Sequence, residues 1–263
     1  MRRGITILAG VLVLGVGAYA IADEIEGTDE PDTINGTEQA DTITGEREDD
    51  TINGLGGDDD INGGQNSISR SRLGGDGDDK IDGGDGNDTV NGGGDNDIVK
   101  GGEGNDKVFG AGCEITGLGR ICDNVGRDRL IGGPGDDDLR ANACSNNPEC
   151  QAATNISRGT KMKGGPGNDT FLGAEKRDRI RGGGDDDTAQ GYLGRDRVKG
   201  GGGNDTLDGG GGRDRVKGGG GDDTIEARDG KRDRIRCGKG DDTAHVDKRD
   251  RVRGCEQVVR GRG

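Results

Sequence analysis

The chain has 263 residues, of which 60 are Gly and only 26% are hydrophobic, and its formal net charge is -15. Soluble globular domains usually contain about 45–50% apolar residues and about 7% Gly, so this composition excludes an ordinary hydrophobic core. Collagen is excluded as well, because Gly does not recur at every third position and the chain has only 4 Pro. Two classes remain: a disordered acidic chain, and a fold that is stabilised by something other than apolar burial.

The first 22 residues have the pattern of a secretory signal peptide. Two Arg residues precede an apolar stretch at 5–16, and the small residues that end at Ala22 offer a cleavage site. The alternative is an uncleaved membrane anchor, since residues 5–22 approach the length that spans a bilayer. Gly and polar interruptions in the stretch favour cleavage, which predicts a mature extracellular chain that begins near Asp23.

The remainder of the chain repeats with a period of nine residues. Asp recurs at this spacing in long runs, and an aliphatic residue stands two positions after most of these Asp residues, as Ile81 follows Asp79. This sustained phase favours a folded repeat over a disordered polymer. The regular units read Gly-Gly-x-Gly-x-Asp-x-U-x, with U a large apolar residue and positions numbered one to nine, and they cover Gly74–Asp82, Gly83–Asn91, Gly101–Phe109, Gly132–Arg140, Gly164–Leu172, Gly200–Asp208 and Gly218–Glu226.

Each part of this unit has a physical role. The glycines permit positive φ and a tight turn, and they expose carbonyl oxygens beside the Asp carboxylate. Both kinds of oxygen are hard ligands of the type that calcium prefers. The x-U-x segment is a three-residue strand that points its aliphatic side chain inward and its two neighbours outward. Two units make one coil of 18 residues, and the chain length predicts about 13 coils stacked about 4.7–4.9 Å apart.

The unit resembles the haemolysin-type calcium-binding nonapeptide repeat of the RTX family, and the resemblance covers nearly all of the chain after residue 22. It implies an all-β parallel β-roll, a β-helix solenoid with two nonapeptide repeats per 18-residue coil. It also implies that several Ca²⁺ ions bind between turns of neighbouring coils, in two rows along the rod. Folding and metal binding are then expected to be one event.

The resemblance also implies a set of metal ligands among the repeat carboxylates and amides. The units around Asp32, Asp41 and Asp50 keep Asp but lack the Gly pair, which weakens the case for calcium there. The predicted ligands are Asp59, Asp76, Asp78, Asp79, Asp85, Asn87, Asp88, Asp97, Asn105, Asp106, Asp137, Asp169, Asp187, Asp205, Asp223 and Asp242.

Charge divides the predicted roll into two parts. Residues 23–110 hold 25 acidic and 6 basic side chains, whereas residues 111–263 hold 27 acidic and 29 basic ones. The second part is predicted to continue the roll with alternating Gly-rich and Arg-Asp-Arg units, and it is interrupted at 110–126 and 141–163. We expect these interruptions to be surface excursions rather than linkers between domains.

Alternate units fall on opposite sides of an 18-residue coil, so the Arg-Asp-Arg units predict one basic side. One interpretation is that each Arg pairs with an Asp one coil away, so that a guanidinium replaces calcium and this row is poor in metal. The other is that the basic side docks onto an anionic extracellular polymer, because its cations outnumber the Asp residues of the row. The outward cations include Arg179, Arg197, Arg215, Arg234 and Arg251.

Six Cys residues in a chain predicted to be secreted suggest three disulfides. Cys237 and Cys255 are 18 residues apart, which is one coil, so we expect them to stack within disulfide reach. A four-Cys zinc site is the alternative, but no Cys-x-x-Cys occurs. The spacing of the six favours the pairs Cys113–Cys122, Cys144–Cys150 and Cys237–Cys255.

The sequence offers little for catalysis. The single His, His245, has no adjacent candidate nucleophile, and carboxylates that repeat in every coil suit serial ion binding better than one active site. We therefore predict a non-enzymatic calcium-binding protein, secreted or at the cell surface, with a structural or adhesive role. The alternatives are a soluble module that buffers or senses calcium, and a secreted calcium-dependent hydrolase. Neither a transmembrane segment after signal cleavage nor specific nucleic acid recognition is expected.

Overall fold

The computed structural model describes residues 24–46, 48–64, 77–110, 127–141 and 159–261, together with the backbone of three short strands at 6–8, 114–116 and 119–121. All regular secondary structure within these ranges is β-structure, which confirms the predicted all-β class. In this part of the chain no helix is long and apolar enough to cross a membrane.

Successive strands alternate between two long sheets, and the larger of them, the first sheet, has 13 strands in the described chain. The first pair, β1 with β2, is antiparallel, and the later pairs are parallel. Its strands are β1 (Thr6–Leu8), β2 (Glu24–Thr28), β4 (Thr42–Glu46), β6 (Asp60–Gly64), β8 (Thr89–Asn91), β10 (Lys107–Phe109), β14 (Asp138–Arg140), β16 (Thr170–Leu172), β18 (Thr188–Gln190), β21 (Thr206–Asp208), β24 (Thr224–Ala227), β26 (Thr243–Val246) and β28 (Gln257–Arg260).

The second sheet has 11 parallel strands in the same part of the chain. Two further pairs lie outside these sheets: β11 (Glu114–Thr116) with β12 (Gly119–Ile121), and β19 (Leu193–Gly194) with β22 (Gly211–Gly212). The strands of the second sheet are β3 (Thr33–Asn35), β5 (Thr51–Gly56), β7 (Lys80–Asp85), β9 (Ile98–Glu103), β13 (Arg129–Ile131), β15 (Lys161–Lys163), β17 (Arg179–Arg181), β20 (Arg197–Lys199), β23 (Arg215–Lys217), β25 (Arg234–Arg236) and β27 (Arg251–Arg253).

The strand register confirms the predicted coil of about 18 residues. Val198 pairs with Val216, one coil later in the sequence. Across the interruptions the step is longer, as where Ile52 pairs with Ile81 and Leu139 with Phe171. The solenoid therefore has about 11 turns, and the prediction of about 13 was wrong. The coils that contain the interruptions have more residues, so fewer coils form from the same chain length. Lys161–Lys163, in the predicted interruption at 141–163, forms β15 of the second sheet.

The core is a continuous stack of apolar side chains between the two sheets. The three-residue strands show an exposed, buried, exposed pattern, as in β17 around Ile180, because only the central side chain faces inward. Burying one such side chain stabilises the fold by about 1.5–3 kcal/mol. The residues of this stack include Ile34, Ile43, Ile52, Ile61, Ile81, Val90, Val99, Val108, Leu130, Leu139, Met162, Phe171, Ile180, Val198, Leu207, Val216, Ile225 and Ile235.

A disulfide between Cys237 and Cys255 joins the last coils, and their Cα atoms are 5.1 Å apart. This confirms the pair predicted from the 18-residue spacing. The pairs predicted for Cys113, Cys122, Cys144 and Cys150 lie outside the described residues, as does nearly all of the predicted signal peptide.

Candidate metal centre

The repeat Asp residues stack in two rows, each at the start of the strands of one sheet. Except for the half-buried Asp32, they are at most 7% exposed. The first-sheet row consists of Asp41, Asp59, Asp88, Asp106, Asp137, Asp169, Asp187, Asp205, Asp223 and Asp242. The second-sheet row consists of Asp32, Asp50, Asp79, Asp97, Asp128, Asp178, Asp196, Asp214, Asp233 and Asp250, with Thr160 in the place of one Asp.

Backbone amides hold one oxygen of each stacked carboxylate. In the first-sheet row the Asp88 N–H donates to Oδ1 of Asp106 at 2.9 Å, and the same bond recurs from coil to coil. The second-sheet row has the same arrangement, with the Asp196 N–H donating to Oδ1 of Asp214 at 2.7 Å. Hydrogen bonds to a charged acceptor are stronger than neutral ones, so this inner ladder fixes the carboxylates in position.

The second oxygen of many of these carboxylates is buried without a hydrogen-bond donor. A buried polar atom in this state costs free energy unless another group compensates it. Within the described residues the carboxylates in this state include those of Asp50, Asp59, Asp88, Asp97, Asp106, Asp137, Asp196, Asp214, Asp233 and Asp242, each through its Oδ2.

Burial raises the pKa of these carboxyl groups. Desolvation raises the pKa of Asp88 and of Asp137 to about 7, and that of Asp97 to about 9. Backbone N–H donors oppose the shift, whereas carboxylates one coil away add to it, as Asp106 and Asp59 do for Asp88. A positive charge close to these carboxyl groups would lower their pKa values and keep the carboxylates of both rows ionised at neutral pH.

The unpartnered oxygens lie beside glycines that leave no room for a side chain. A Cβ added at Gly83 would clash with Oδ2 of Asp88 and with the carbonyl oxygen of Gly101 in the next coil. Gly102 adopts a φ of 135°, and a Cβ there would clash with the carbonyl oxygen of Gly84. Carboxylate and carbonyl oxygens thus converge at the start of each Gly-rich turn.

This arrangement fits the calcium ions that the sequence implies. Buried carboxylate oxygens such as Oδ2 of Asp88 and Asp106 are available, and turn carbonyls lie next to them. No three His, Cys, Asp or Glu side chains form a metal-binding cluster among the described residues, so turn carbonyls have to supply part of the ligand set. A Ca²⁺ ion bound here would supply the positive charge that compensates the stacked carboxylates.

The structure places the other predicted ligands at the outside of the turns. Asp78, Asn87 and Asn105 are exposed, and each accepts a backbone N–H from the next coil, as Asn87 Oδ1 does from Asn105 at 2.9 Å. Asp85 is exposed at the end of β7. Asp76 lies outside the described residues.

This outer ladder was not predicted from the sequence. It is formed by the short polar residue at position five, immediately before the repeat Asp, and its regular recurrence was the signal that could have revealed it. On the first-sheet side it runs without a break through Asp58, Asn87, Asn105, Asp136, Asn168, Asp186, Asn204, Asp222 and Asp241. Glu256, also missed, extends the first-sheet row, since its Oε2 accepts the Asp242 N–H at 3.0 Å.

A few carboxylates have both oxygens occupied by the protein. The Thr28 N–H donates to Oδ2 of Asp32 at 2.7 Å, and the Thr37 N–H donates to Oδ2 of Asp41 at 2.6 Å. These are early units in which the Gly pair is missing, so their turns offer an internal donor where the consensus turns leave an oxygen open. Among the predicted ligands, Asp169 is held in the same way by the Gly165 N–H at 2.9 Å.

The second-sheet side changes character along the rod. Its outer ladder passes through Asp49, Asp78 and Asn96 and ends where the Arg127 N–H donates to Asn96. Beyond this point position five carries Arg in the Arg-Asp-Arg units. All the cations of these units are exposed except the half-buried Arg197; they are Arg177, Arg179, Arg181, Arg195, Arg197, Lys199, Arg213, Arg215, Lys217, Arg232, Arg234, Arg236, Arg249, Arg251 and Arg253, and we call them the basic face.

The basic face is not neutralised by the row beneath it. Arg179, Arg197 and Arg215 occupy equivalent positions on paired strands, so like charges stand next to each other. None of the side chains of the basic face forms an ion pair with a carboxylate within the part of the chain that the structure describes. The interpretation that each Arg pairs with an Asp one coil away was therefore wrong, because those carboxylates are buried whereas the cations lie on the exposed surface.

Comparison with known proteins agrees with this geometry. A family model described as the RTX calcium-binding nonapeptide repeat matches residues 20–47, 35–67, 73–110, 123–146, 163–198 and 190–225, which together make up well over half of the chain. No curated protein in the comparison matches the chain. The matched segments contain most of the Gly-rich turns and most of the buried Asp residues of a parallel solenoid, and the chain belongs to the RTX family of calcium-binding nonapeptide-repeat proteins.

Proposed function

We propose that this protein is a secreted, calcium-dependent structural protein whose solenoid forms when Ca²⁺ binds in rows between its coils. The observation that carries the proposal is the row of buried carboxylates whose second oxygen has no donor, as in Asp88, Asp106 and Asp137. Such a row is costly without a cation and favourable with one. Metal binding and folding are then linked, since the ion binds the folded chain and not the unfolded one.

The composition supports this linkage. Each nine-residue unit buries one aliphatic side chain, which does not offset the conformational entropy lost by ordering the whole unit. Stacked carboxylates one coil apart also repel each other, and this repulsion contributes to the raised pKa of Asp88. Calcium removes the repulsion and adds ligand bonds, so it stabilises the fold where the core alone does not.

The two parts of the chain are proposed to load calcium differently. In residues 23–110 both sides keep polar outer ladders, so both rows are candidates for calcium. In residues 111–263 the first-sheet side keeps its outer ladder, whereas the second-sheet side carries the basic face. We propose that the second-sheet row is poor in metal there.

The role we propose is structural or adhesive, at the cell surface or in the extracellular space after removal of residues 1–22. A regular rod with one basic face suits attachment to an anionic extracellular polymer, through ladders that include Arg197, Arg215 and Arg234. A soluble module that buffers or senses calcium is the second candidate, favoured by the repetition of equivalent carboxylates along the rod. A calcium-dependent hydrolase is a distant third.

Circular dichroism across a calcium titration tests the proposal. The metal-free chain should give a coil spectrum at neutral pH and change to a β spectrum at about 10⁻⁴–10⁻³ M Ca²⁺, the range of extracellular calcium modules. A coil signal that persists to several times that concentration would refute it. Retention on the producing cells separates the two main roles: an adhesive protein is released by chelation or high salt, whereas a buffer is not retained at all.

A further inference from the structure

The second sheet carries a groove on its basic face. It has a volume of about 170 Å³ and is lined by Arg195, Arg213, Arg215, Arg232, Arg234, Arg251 and the buried Asp214. Arg195, Arg213 and Arg232 stand at position five of successive units, and the other arginines stand at position seven. The groove therefore runs along the rod between two columns of guanidinium groups.

Positive charge dominates this groove. Asp214 is its one acidic lining residue, and Oδ1 of that carboxylate already accepts the Asp196 N–H. None of the six arginines forms an ion pair within the described chain. The crowding extends along the face, since Arg177 lowers the pKa of Arg197, and desolvation and Arg215 add smaller contributions in the same direction. A ligand that fits here has to be anionic and has to contact several cations at once.

The spacing of the cations indicates which polyanion fits. Positions five, seven and nine give three cations per coil, and coils about 4.8 Å apart then carry about one positive charge per 1.6 Å of rod. Duplex DNA, with both strands counted, carries one phosphate charge per about 1.7 Å of its axis, which is close to that density.

Side-chain chemistry points the same way. Arginine presents a planar fork of donors that binds two phosphate oxygens at once, whereas lysine acts as a point charge. No aromatic side chain lines the groove among the described residues, so a platform for base stacking is lacking there. The face is part of a regular sheet, which suits contact with a phosphate backbone rather than with base edges.

We propose that the basic face binds the phosphodiester backbone of double-stranded DNA, without reading its sequence, with a phosphate seated in the groove. This inference rests on the proposed function, because the columns of arginines exist only in the calcium-folded rod, and it names the anionic polymer. Binding then depends on calcium indirectly, through the fold.

Fluorescence anisotropy of a labelled DNA duplex, with calcium-saturated full-length protein at about 50 to 200 mM NaCl, tests the proposal. The triple variant R195Q/R213Q/R232Q should lose at least about tenfold in affinity at the lower salt and flatten the slope of log K against log salt by about 2–3. The control K80Q/K100Q/K107Q makes the same charge change in the acidic part, and its affinity should stay within about twofold because salt screens distant charges. Equal losses in both triples would overturn the inference.

A second variant and a competitor complete the test. R195K/R213K/R232K keeps every charge, so the slope of log K against log salt should stay the same. Its affinity for DNA should fall several-fold, because lysine lacks the planar fork of donors. If the Gln triple does not fold, this variant is the test, and wild-type affinity in it contradicts the proposal. An acidic polysaccharide that competes better than DNA also contradicts it. Circular dichroism of the same samples separates the two claims. A chain whose spectrum does not change with calcium refutes the proposed function. A chain that folds with calcium but does not bind DNA refutes this inference alone.

Discussion

The two sides of the later coils share one scaffold and differ in their surface. Asp205 in the first-sheet row and Asp196 in the second-sheet row are both buried, and each donates its N–H to the carboxylate of the next coil. The residue before Asp205 is Asn204, whose side chain continues the outer ladder, whereas the residue before Asp196 is the exposed Arg195. The same inner ladder of hydrogen bonds therefore lies beneath a polar surface on one side of the coil and a basic surface on the other. A single coil is thus compatible with a metal site on one side and an anion site on the other.

The buried charge is compensated differently on the two sides. Desolvation raises the pKa of Asp196 to about 8, and Arg177 lowers it only in part. Desolvation also raises the pKa of Asp205, with a further contribution from the neighbouring Asp186. We propose that a calcium ion completes the balance on the first-sheet side of these coils, and that a proton does so on the second-sheet side. The predictions that follow test this difference.

Removal of calcium is expected to have the largest effect. A chelator should unfold both sides of the solenoid together, because each coil contributes strands to both sheets. Hydrogen exchange should show loss of protection for the amides of both Asp rows, and magnesium should not restore it, since Mg²⁺ prefers octahedral sites with bound water. Survival of the second-sheet row after chelation would show that it folds independently of the metal.

Coil stacking should be weakened when a glycine that contacts the preceding coil gains a side chain. Gly203 has a φ of 96°, and a Cβ there would clash with the carbonyl oxygen of Asp185. Gly203→Ala is expected to cost about 2 kcal/mol or more in the free energy of unfolding at saturating calcium. The adjacent Gly202→Ala is the control, because a Cβ there meets nothing within 4 Å, and it should change the stability by less than about 0.5 kcal/mol. Equal effects in urea titrations would contradict this account.

The matched substitutions Asp205→Asn and Asp196→Asn compare the rows directly. Both keep an oxygen that can accept the N–H of the preceding coil, from Asp187 and Asp178 respectively. Asp205→Asn should raise the calcium midpoint by about tenfold, equivalent to about 1.4 kcal/mol, because it removes a charged ligand. Asp196→Asn should leave the midpoint within about twofold, since that side is expected to hold little metal. Isothermal titration calorimetry measures both, and a matching loss in Asp196→Asn would place calcium on the basic side.

Titration of the second-sheet row should give the smallest effect. In calcium-saturated protein, carboxyl carbon NMR should show protonation of Asp196 near pH 8 and of Asp233 near pH 7, because desolvation raises the pKa of both. The folded state then binds protons more tightly than the unfolded chain, whose Asp pKa is about 3.9. This stabilising contribution is complete below about pH 4 and is lost as the pH rises through about 7 to 8. Carboxyls that titrate near pH 4 would show that a cation occupies this row.

Much of the fold could be predicted because it depends on neighbours in the sequence. The period of nine, the inward aliphatic residue such as Val198, and the pairing of Cys237 with Cys255 all follow from turn geometry and strand alternation. The lengths of the interruptions did not reveal the coil count, because the step from Ile52 to Ile81 uses more chain for one coil than the step from Val198 to Val216.

Contacts between coils were decided only by the tertiary structure. The sequence by itself determined the residue types, the period and the excess of cations on one side. It did not show that Oδ1 of Asp106 accepts the Asp88 N–H, that Asn87 and Asn105 join an outer ladder, or that the basic face forms no ion pair among the described residues. These outcomes depend on which atoms of residues a full coil apart meet across about 4.8 Å, and stacking, not local propensity, sets that distance.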